Sequence, residues 1–245
     1  MLLVNLFFNS IIVSAFPQNV ATTGTFQLPL ETDKRGPCPA FNVMSNYGFL
    51  PRDGSTMTYE QIHAVFEEHY NLAPAVVTFL LNGATEADIG EGQPDRFDLV
   101  QLRAHNKIEH DVSLVRNDVF FGDNFSVNHT LFDQLISYSK DGVHLTVKDL
   151  SEYRIQRYAD MKLLNPELSF DANRNKIACS EISAIYNVLS GGNSSLPVPI
   201  SYFRAFLKEE RLPLEEGWTT PKQQLTQAIF GAVTLEAMKN IAWKP

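Results

Sequence analysis

Cysteine is scarce in this chain of 245 residues: Cys38 and Cys179 are the two present. They permit one disulfide at most, so no disulfide framework organises the fold, and each thiol is open to another use. Basic charge is also short. Lys and Arg number 20 against 28 Asp and Glu, a net charge of −8, which argues against a nucleic-acid partner. Period-two alternation is nearly absent, which excludes an all-β architecture. Beyond residue 15 no apolar run is long enough to span a bilayer, so no stable membrane anchor is expected. There is no internal repeat, low-complexity tract or run of like charge. What is present is a composition 44% hydrophobic and 20% charged, with 17 Phe, enough for one globular domain with a large core.

The N-terminus reads as a leader. Leu2 to Ala15 is mostly apolar, and Val13-Ser14-Ala15 places small residues where a signal peptidase would cut. The run is too short for a membrane span, and no basic residue precedes it. A signal peptide over residues 1–15, with an outer limit near residue 20, makes the protein secreted and leaves residues 16–245 as one domain. The sequons Asn124-Phe125-Ser126, Asn128-His129-Thr130 and Asn193-Ser194-Ser195 agree with a glycosylated extracellular product.

Helical spacing dominates the remainder, so the fold class is mainly α. Residues 16–35 read as an extended segment, and Tyr47 to Gly54 as a turn rich in breakers. Thr58-Tyr59-Glu60-Gln61 is a capping box opening a helix through Ile62, Val65, Phe66 and His69. Pro74 starts a helix expected to end at Leu81, before Asn82-Gly83. A short helix is expected over 98–106, longer ones over 128–140, 147–163 and 176–190, one from Pro199 to Arg211, and one or two within 222–240.

Two stretches carry chemistry. In Gly36-Pro37-Cys38-Pro39-Ala40-Phe41-Asn42 the prolines fix φ and stop the upstream chain from entering the following helix. Cys38 is thereby placed at or near a helix N-terminus, where unpaired N–H groups favour thiolate. Such a group can be a nucleophile, a metal ligand, a haem ligand or simply an inert buried thiol. In Ile108-Glu109-His110-Asp111-Val112-Ser113 two carboxylates flank a histidine, with a hydroxyl two residues on. Carboxylate, hydroxyl and backbone oxygen suit a hard cation such as Mg²⁺, and the imidazole suits acid–base or orienting work. A solvated loop fits as well. His105 and Glu109 have the i, i+4 spacing of zinc ligands, but no third ligand follows suitably.

Taken together, these motifs resemble the haem-thiolate peroxidase family of chloroperoxidase and the fungal unspecific peroxygenases. The resemblance rests on Pro37-Cys38-Pro39, on Glu109-His110-Asp111 with Ser113, and on a later helix bearing Glu181. Asn46 to Gly54, Phe97-Asp98-Leu99, Asp111 to Asp118 and Glu216-Gly217-Trp218 add to it, so it runs from about residue 35 to about residue 220. The histidine inside the first acidic triplet resembles the short branch; the long branch has Gly there and an Arg elsewhere. Tyr47 stands where many relatives have His.

The resemblance implies a single-domain helical fold, haem b ligated by Cys38 between Pro37 and Pro39, and hydrogen peroxide as oxidant. It implies Glu181 as the acid–base, oriented by a charged His110, with Asp111 holding His110 in turn. Glu152 and Glu167 are rivals for that role in less apolar helices. A structural Mg²⁺ would take the Glu109 carboxylate, the His110 backbone oxygen and the Ser113 hydroxyl. Ile108 and Ile177 would border the haem pocket, and small apolar organic substrates are expected. Halide oxidation, simple peroxidation and a non-enzymatic haem-binding protein are the alternatives, and a monomer or homodimer is expected.

Overall fold

The computed structural model describes residues 24–242; the predicted leader lies outside them. Eight α-helices are present among the described residues. They are α1 (Pro39–Asn46), α2 (Tyr59–Tyr70), α3 (Pro74–Glu86), α4 (His129–Ile136), α5 (Val147–Leu164), α6 (Ala172–Ser190), α7 (Ile200–Phe203) and α8 (Gln227–Ile241). Strand content among the described residues is two antiparallel two-residue pairs: β1 (Met57–Thr58) with β2 (Arg96–Phe97), and β3 (His144–Leu145) with β4 (Val198–Pro199). The mainly α expectation therefore holds.

Local chemistry sets most boundaries. The Thr58 hydroxyl accepts from the Gln61 N–H at 3.2 Å, and the Gln61 side chain accepts from the Thr58 N–H at 3.0 Å, closing the expected capping box. Thr146 and Asp149 do the same for α5. Pro74 occupies the first turn of α3, but that helix runs through Asn82-Gly83 to Glu86. Its buried stripe of Val76, Val77, Leu81 and Ala84 outweighs the helix penalty of one glycine, about 1 kcal/mol. The 98–106 segment is a 3₁₀ turn over Leu99–Arg103, capped by Asp98. A second 3₁₀ turn spans Val119–Phe121. The helix expected from Pro199 to Arg211 is α7 continued as a π-helix over Arg204–Lys208. The 222–240 region holds one helix, α8, which starts at Gln227.

The core is continuous, running from Val43 and Met44 in α1 through Phe66 and Tyr70 to Leu150, Ile182, Tyr186, Phe203 and Phe206. Helices α5, α6 and α8 pack together as its central layer. One stripe of α6 is not fully covered: Arg174, Ile177, Glu181 and Ala184, spaced by 3, 4 and 3, are half-buried, whereas Ala178, Cys179, Ile182 and Ile185 are buried. Pro37 to Phe41, leading into α1, is half-buried as well. No helix among the described residues is long and apolar enough to cross a membrane.

The sequons are not equivalent. Asn124 is buried and donates to the Arg103 carbonyl at 3.0 Å. Asn128 caps α4 and donates to Asn117. Only Asn193 of the three is exposed.

Candidate active site

Cys38 is the N-cap residue of α1, with extended φ of −84° and Pro39 in the first turn. No side-chain hydrogen bond from its sulfur caps the helix. Asn42 fixes the approach: its side-chain oxygen accepts from Gly36 N–H at 3.2 Å and its Nδ2 donates to Gly36 O at 2.8 Å. Both cysteines are free thiols, so no Cys38–Cys179 bridge forms. The thiolate expected at this helix terminus is not favoured by its surroundings. Burial raises the thiol above its usual value; the N–H groups of Phe41 and Ala40 and the charge of Arg116 oppose that, and Glu181 adds to it. A thiolate at Cys38 therefore needs a further positive partner.

Glu181 sits on the half-open stripe of α6 and interacts electrostatically with Cys38. Its side chain is 24% exposed, enough to meet a reactant and little enough to be controlled by its neighbours. Its partners are the Leu114 N–H at 3.4 Å, His110 Nε2 at 4.0 Å and, by a direct charge-assisted hydrogen bond, Arg154. Sequence reasoning missed Arg154. It stands on α5 with its side chain 1% exposed, and it donates further to Val112 O at 2.5 Å and Ala178 O at 3.4 Å. Burial pulls the Glu181 carboxyl upward. Arg154, His110 and the hydrogen bonds from Arg154 and Leu114 outweigh it and hold Glu181 below the usual carboxylate range.

His110 differs from expectation in two ways. Burial lowers its imidazole below the usual value, and Arg154 and Arg174 reinforce this against the pull of Glu181. It is therefore neutral near pH 7, and the stabilising cation for Glu181 is Arg154 rather than His110. Its Nδ1 lies 2.7 Å from the Asp111 carbonyl, which can only accept. The proton is thus on Nδ1, and Nε2 faces Glu181 as an acceptor. The Asp111 backbone holds His110; the Asp111 carboxylate does not, because it accepts from Ser169 N–H at 2.9 Å and lies 3.9 Å from His105 Nε2. Burial, with Asp118 adding to it, raises the Asp111 carboxyl against the Ser169 N–H.

The loop between Asp111 and Ser113 is strained. Val112 is fully buried with φ of +64°, a rare conformation for a β-branched residue. It is held from both sides: its N–H donates to Asp118 at 2.8 Å, and its carbonyl accepts from Arg154. Asp118 is itself fixed by Arg157 at 3.2 Å and Asn165 at 3.0 Å. Arg154 thus joins the strained loop to the catalytic candidate on α6.

The oxygen donors expected for a cation are also gathered. Glu109 Oε2 is held by His105 Nδ1 at 2.8 Å, while Glu109 Oε1 is buried without a hydrogen-bond partner. Ser113 Oγ lies 3.4 Å from His110 O. Burial raises the Glu109 carboxyl, with the His105 and Asn124 side chains opposing. Among the described residues no group of three or more His, Cys, Asp and Glu is placed to hold a metal, so no zinc-type cluster exists there. A mixed set of one carboxylate, one carbonyl and one hydroxyl suits a hard cation. Ile177 shares the open stripe with Glu181, and Ile108 is 37% exposed. Glu152 pairs with Lys140 at the surface, and the Glu167 N–H is tied to Asn165.

Beyond these residues, a hollow of about 670 Å³ opens at the C-terminal end of α6, between Gly191, Tyr202, Trp218 and Gln223. Its lining contains neither a carboxylate nor a thiol.

Residues 24–223 match the family model described as peroxidase, family 2. The chain is 31% identical over 199 residues to the aromatic peroxygenase of Cyclocybe aegerita, covering 74% of this chain and 54% of that one. It is 30% identical over 214 residues to the aromatic peroxygenase of Coprinellus radians, covering 79% and 82%. It is 28% identical over 221 residues to the chloroperoxidase of Leptoxyphium fumago, covering 79% and 56%. The chain thus spans about half the length of the first and third of these relatives.

Proposed function

The chain belongs to peroxidase family 2, and from that premise we propose that it is a secreted haem-thiolate peroxygenase, which transfers oxygen from hydrogen peroxide to small apolar organic molecules. The observation that carries this reading is a free cysteine between two prolines at the N-cap of α1, in the same fold as Glu181, a half-buried carboxylate bonded by the buried Arg154. The residues present fit a haem. Cys38 supplies a soft ligand whose thiolate the iron would stabilise, and Arg116 is a buried guanidinium with Nε and Nη1 unpartnered, suited to a propionate. Bound there, a thiolate-ligated haem supplies the redox chemistry that splits the O–O bond.

The chain's own residues move the protons. Peroxide must lose a proton from one oxygen and gain one on the other before water leaves. Glu181, ionised and reached by solvent, accepts the first proton at a carboxylate oxygen and returns it to the departing oxygen. Arg154 keeps the carboxylate ionised between turnovers and fixes its rotamer. Neutral His110 presents Nε2 as an acceptor beside it and, with Val112 buried next to it, limits bulk water. Pro37 and Pro39 hold the sulfur in place. Ile177 and Ile108 are the residues proposed to border the substrate, whose apolar character follows from theirs. Glu109, the His110 carbonyl and Ser113 would hold a structural Mg²⁺, which offsets a propionate charge. The protein acts as a monomer or homodimer. The exposed Asn193 is the proposed glycan site.

The test is an oxygen-transfer assay on the haem-loaded protein with ¹⁸O-labelled peroxide and an aromatic substrate, with and without chloride. Label in a hydroxylated product supports the reading; chlorinated product alone assigns halide oxidation. Glu181→Gln should lower turnover by about 10²–10⁴-fold with haem still bound, and unchanged turnover would remove Glu181 from the mechanism.

A further inference from the structure

Glu210 stands where a helix end normally carries glycine. It follows the π-helix over Arg204–Lys208 and the cap residue Glu209, and its φ is +49°. That left-handed conformation is costly for a residue with a Cβ, and glycine or asparagine usually fills such a position. A glutamate there is explained by what its polar groups hold. Its Oε1 accepts from Asn42 Nδ2 and from Arg116 Nη2, each at 2.8 Å, and its backbone carbonyl accepts from Asn46 Nδ2 at 3.0 Å. Asn42 and Asn46 lie one turn apart on α1, and both are buried. Each passes the contact on to the chain upstream of the thiol. Asn42 bonds the N–H and the carbonyl of Gly36 at 3.2 and 2.8 Å, and the Asn46 Oδ1 accepts from Arg35 Nε and Nη2 at 3.2 and 2.8 Å. One residue therefore ties down both the chain entering Cys38 and the helix leaving it.

The third partner gives Glu210 an electrostatic reach. The Arg116 side chain is 3% exposed and that of Glu210 17%, so their pair is largely removed from water. The charge of Arg116 acts on Cys38. A carboxylate bonded to a guanidinium offsets part of the charge that the guanidinium presents elsewhere. We propose that Glu210 is a positioning residue for the iron ligand: through Asn42 it holds the Cys38 turn, and through Arg116 it sets how strongly the Cys38 thiolate donates to iron. The proposal goes beyond the assignment of Cys38 as that ligand, and it rests on it. With the Glu210 charge in place Arg116 draws less on the thiolate, donation is stronger and the ferric form is favoured. Without that charge Arg116 acts in full and the ferrous form gains.

Glu210→Gln keeps the length of the side chain and an oxygen acceptor, and removes the charge. In the haem-loaded protein, spectroelectrochemical titration of the ferric–ferrous couple should give a less negative potential than the wild type, with the red-shifted Soret band of the reduced, CO-bound form retained. Glu210→Asp, which keeps the charge on a shorter stem, should lie nearer the wild-type potential than Glu210→Gln does. A role in packing alone ranks the two variants the other way, because Gln is the closer match in shape. That reversed order, an unchanged potential in Glu210→Gln, or a shift that comes only with loss of the red-shifted band would overturn the proposal. The link to the Cys38 turn is read separately, by a double-mutant cycle of Asn42→Ala and Arg116→Met in urea unfolding of the full chain as purified. Both side chains donate to one oxygen of Glu210, so their losses in unfolding midpoint should be non-additive. Additive losses would overturn the link. If the CO-bound spectrum showed that Cys38 is not the iron ligand, the cycle would still decide whether Glu210 holds the turn.

Discussion

Replacing Arg154 by Met keeps most of the side-chain stem and removes the cation, and its consequences can be worked through. Arg154 is 1% exposed and Glu181 24% exposed, so the pair is mostly but not wholly removed from water. Removing one member of a buried pair costs about 3–5 kcal/mol, and the partial exposure of Glu181 argues for the low end, about 3. The Val112 carbonyl also loses its charged donor, about 1 kcal/mol more. Arg154→Met should therefore destabilise by about 3–4 kcal/mol in urea unfolding at neutral pH. The dependence on pH has a definite sign. In the wild type Glu181 lies below the usual carboxylate range, so its contribution is present above that range and is lost as pH falls through the folded value. Without Arg154, burial dominates and lifts Glu181 above that range, so stability falls as pH rises through it. The gap between the two proteins is widest near neutrality and narrows in acid. Glu181→Gln alone leaves the Arg154 charge unpaired, whereas Arg154→Met with Glu181→Gln leaves neither charge. The double-mutant cycle should give a coupling of about 2–3 kcal/mol. Additivity within about 0.5 kcal/mol would show that the two residues do not act as a pair, and the account of Glu181 would fall with it.

Three further outcomes are expected. Glu109→Gln should lower Mg²⁺ affinity by about 10–100-fold, read by elemental analysis after gel filtration, because it removes the one carboxylate charge among the three donors; equal retention would place the cation elsewhere. Asn193→Gln should abolish N-glycan mass on the protein expressed in a glycosylating host, whereas Asn124→Gln should leave it unchanged, since Asn124 is buried and engaged with Arg103. Gly54→Ala should cost at least about 2 kcal/mol in thermal unfolding, because φ is +70° and the new methyl would overlap the Lys34 carbonyl.

Local signals in the sequence were reliable where the chemistry was local. Cys38 between two prolines lands on the N-cap of α1, and the Thr58–Gln61 box opens α2 as read. Glu181 stood out as a carboxylate on an apolar helix face. The same argument would have found Arg154, which follows Leu150 at i+4 and precedes Arg157 at i+3 on the buried side of α5. It was hidden because α5 is rich in charge and its partner lies 27 residues away on another helix. The neutral state of His110 was also hidden, since it depends on burial beside Arg154 and Arg174 rather than on the flanking acidic residues. The group of Asp111 that meets His110 is its backbone carbonyl, not its carboxylate. The π-helix after α7 has no sequence marker, and it is where the chain delivers Glu210, at φ of +49°, onto Asn42 and Arg116 at 2.8 Å each.

The central claim is that Cys38 is the ligand of a haem iron, and the reduced, CO-bound absorption spectrum of the haem-loaded protein tests it most directly. A Soret band strongly red-shifted from that of histidine-ligated haem, and lost in Cys38→Ala, is the predicted result. A band at the histidine-type position, or a red-shifted band that survives Cys38→Ala, would contradict it.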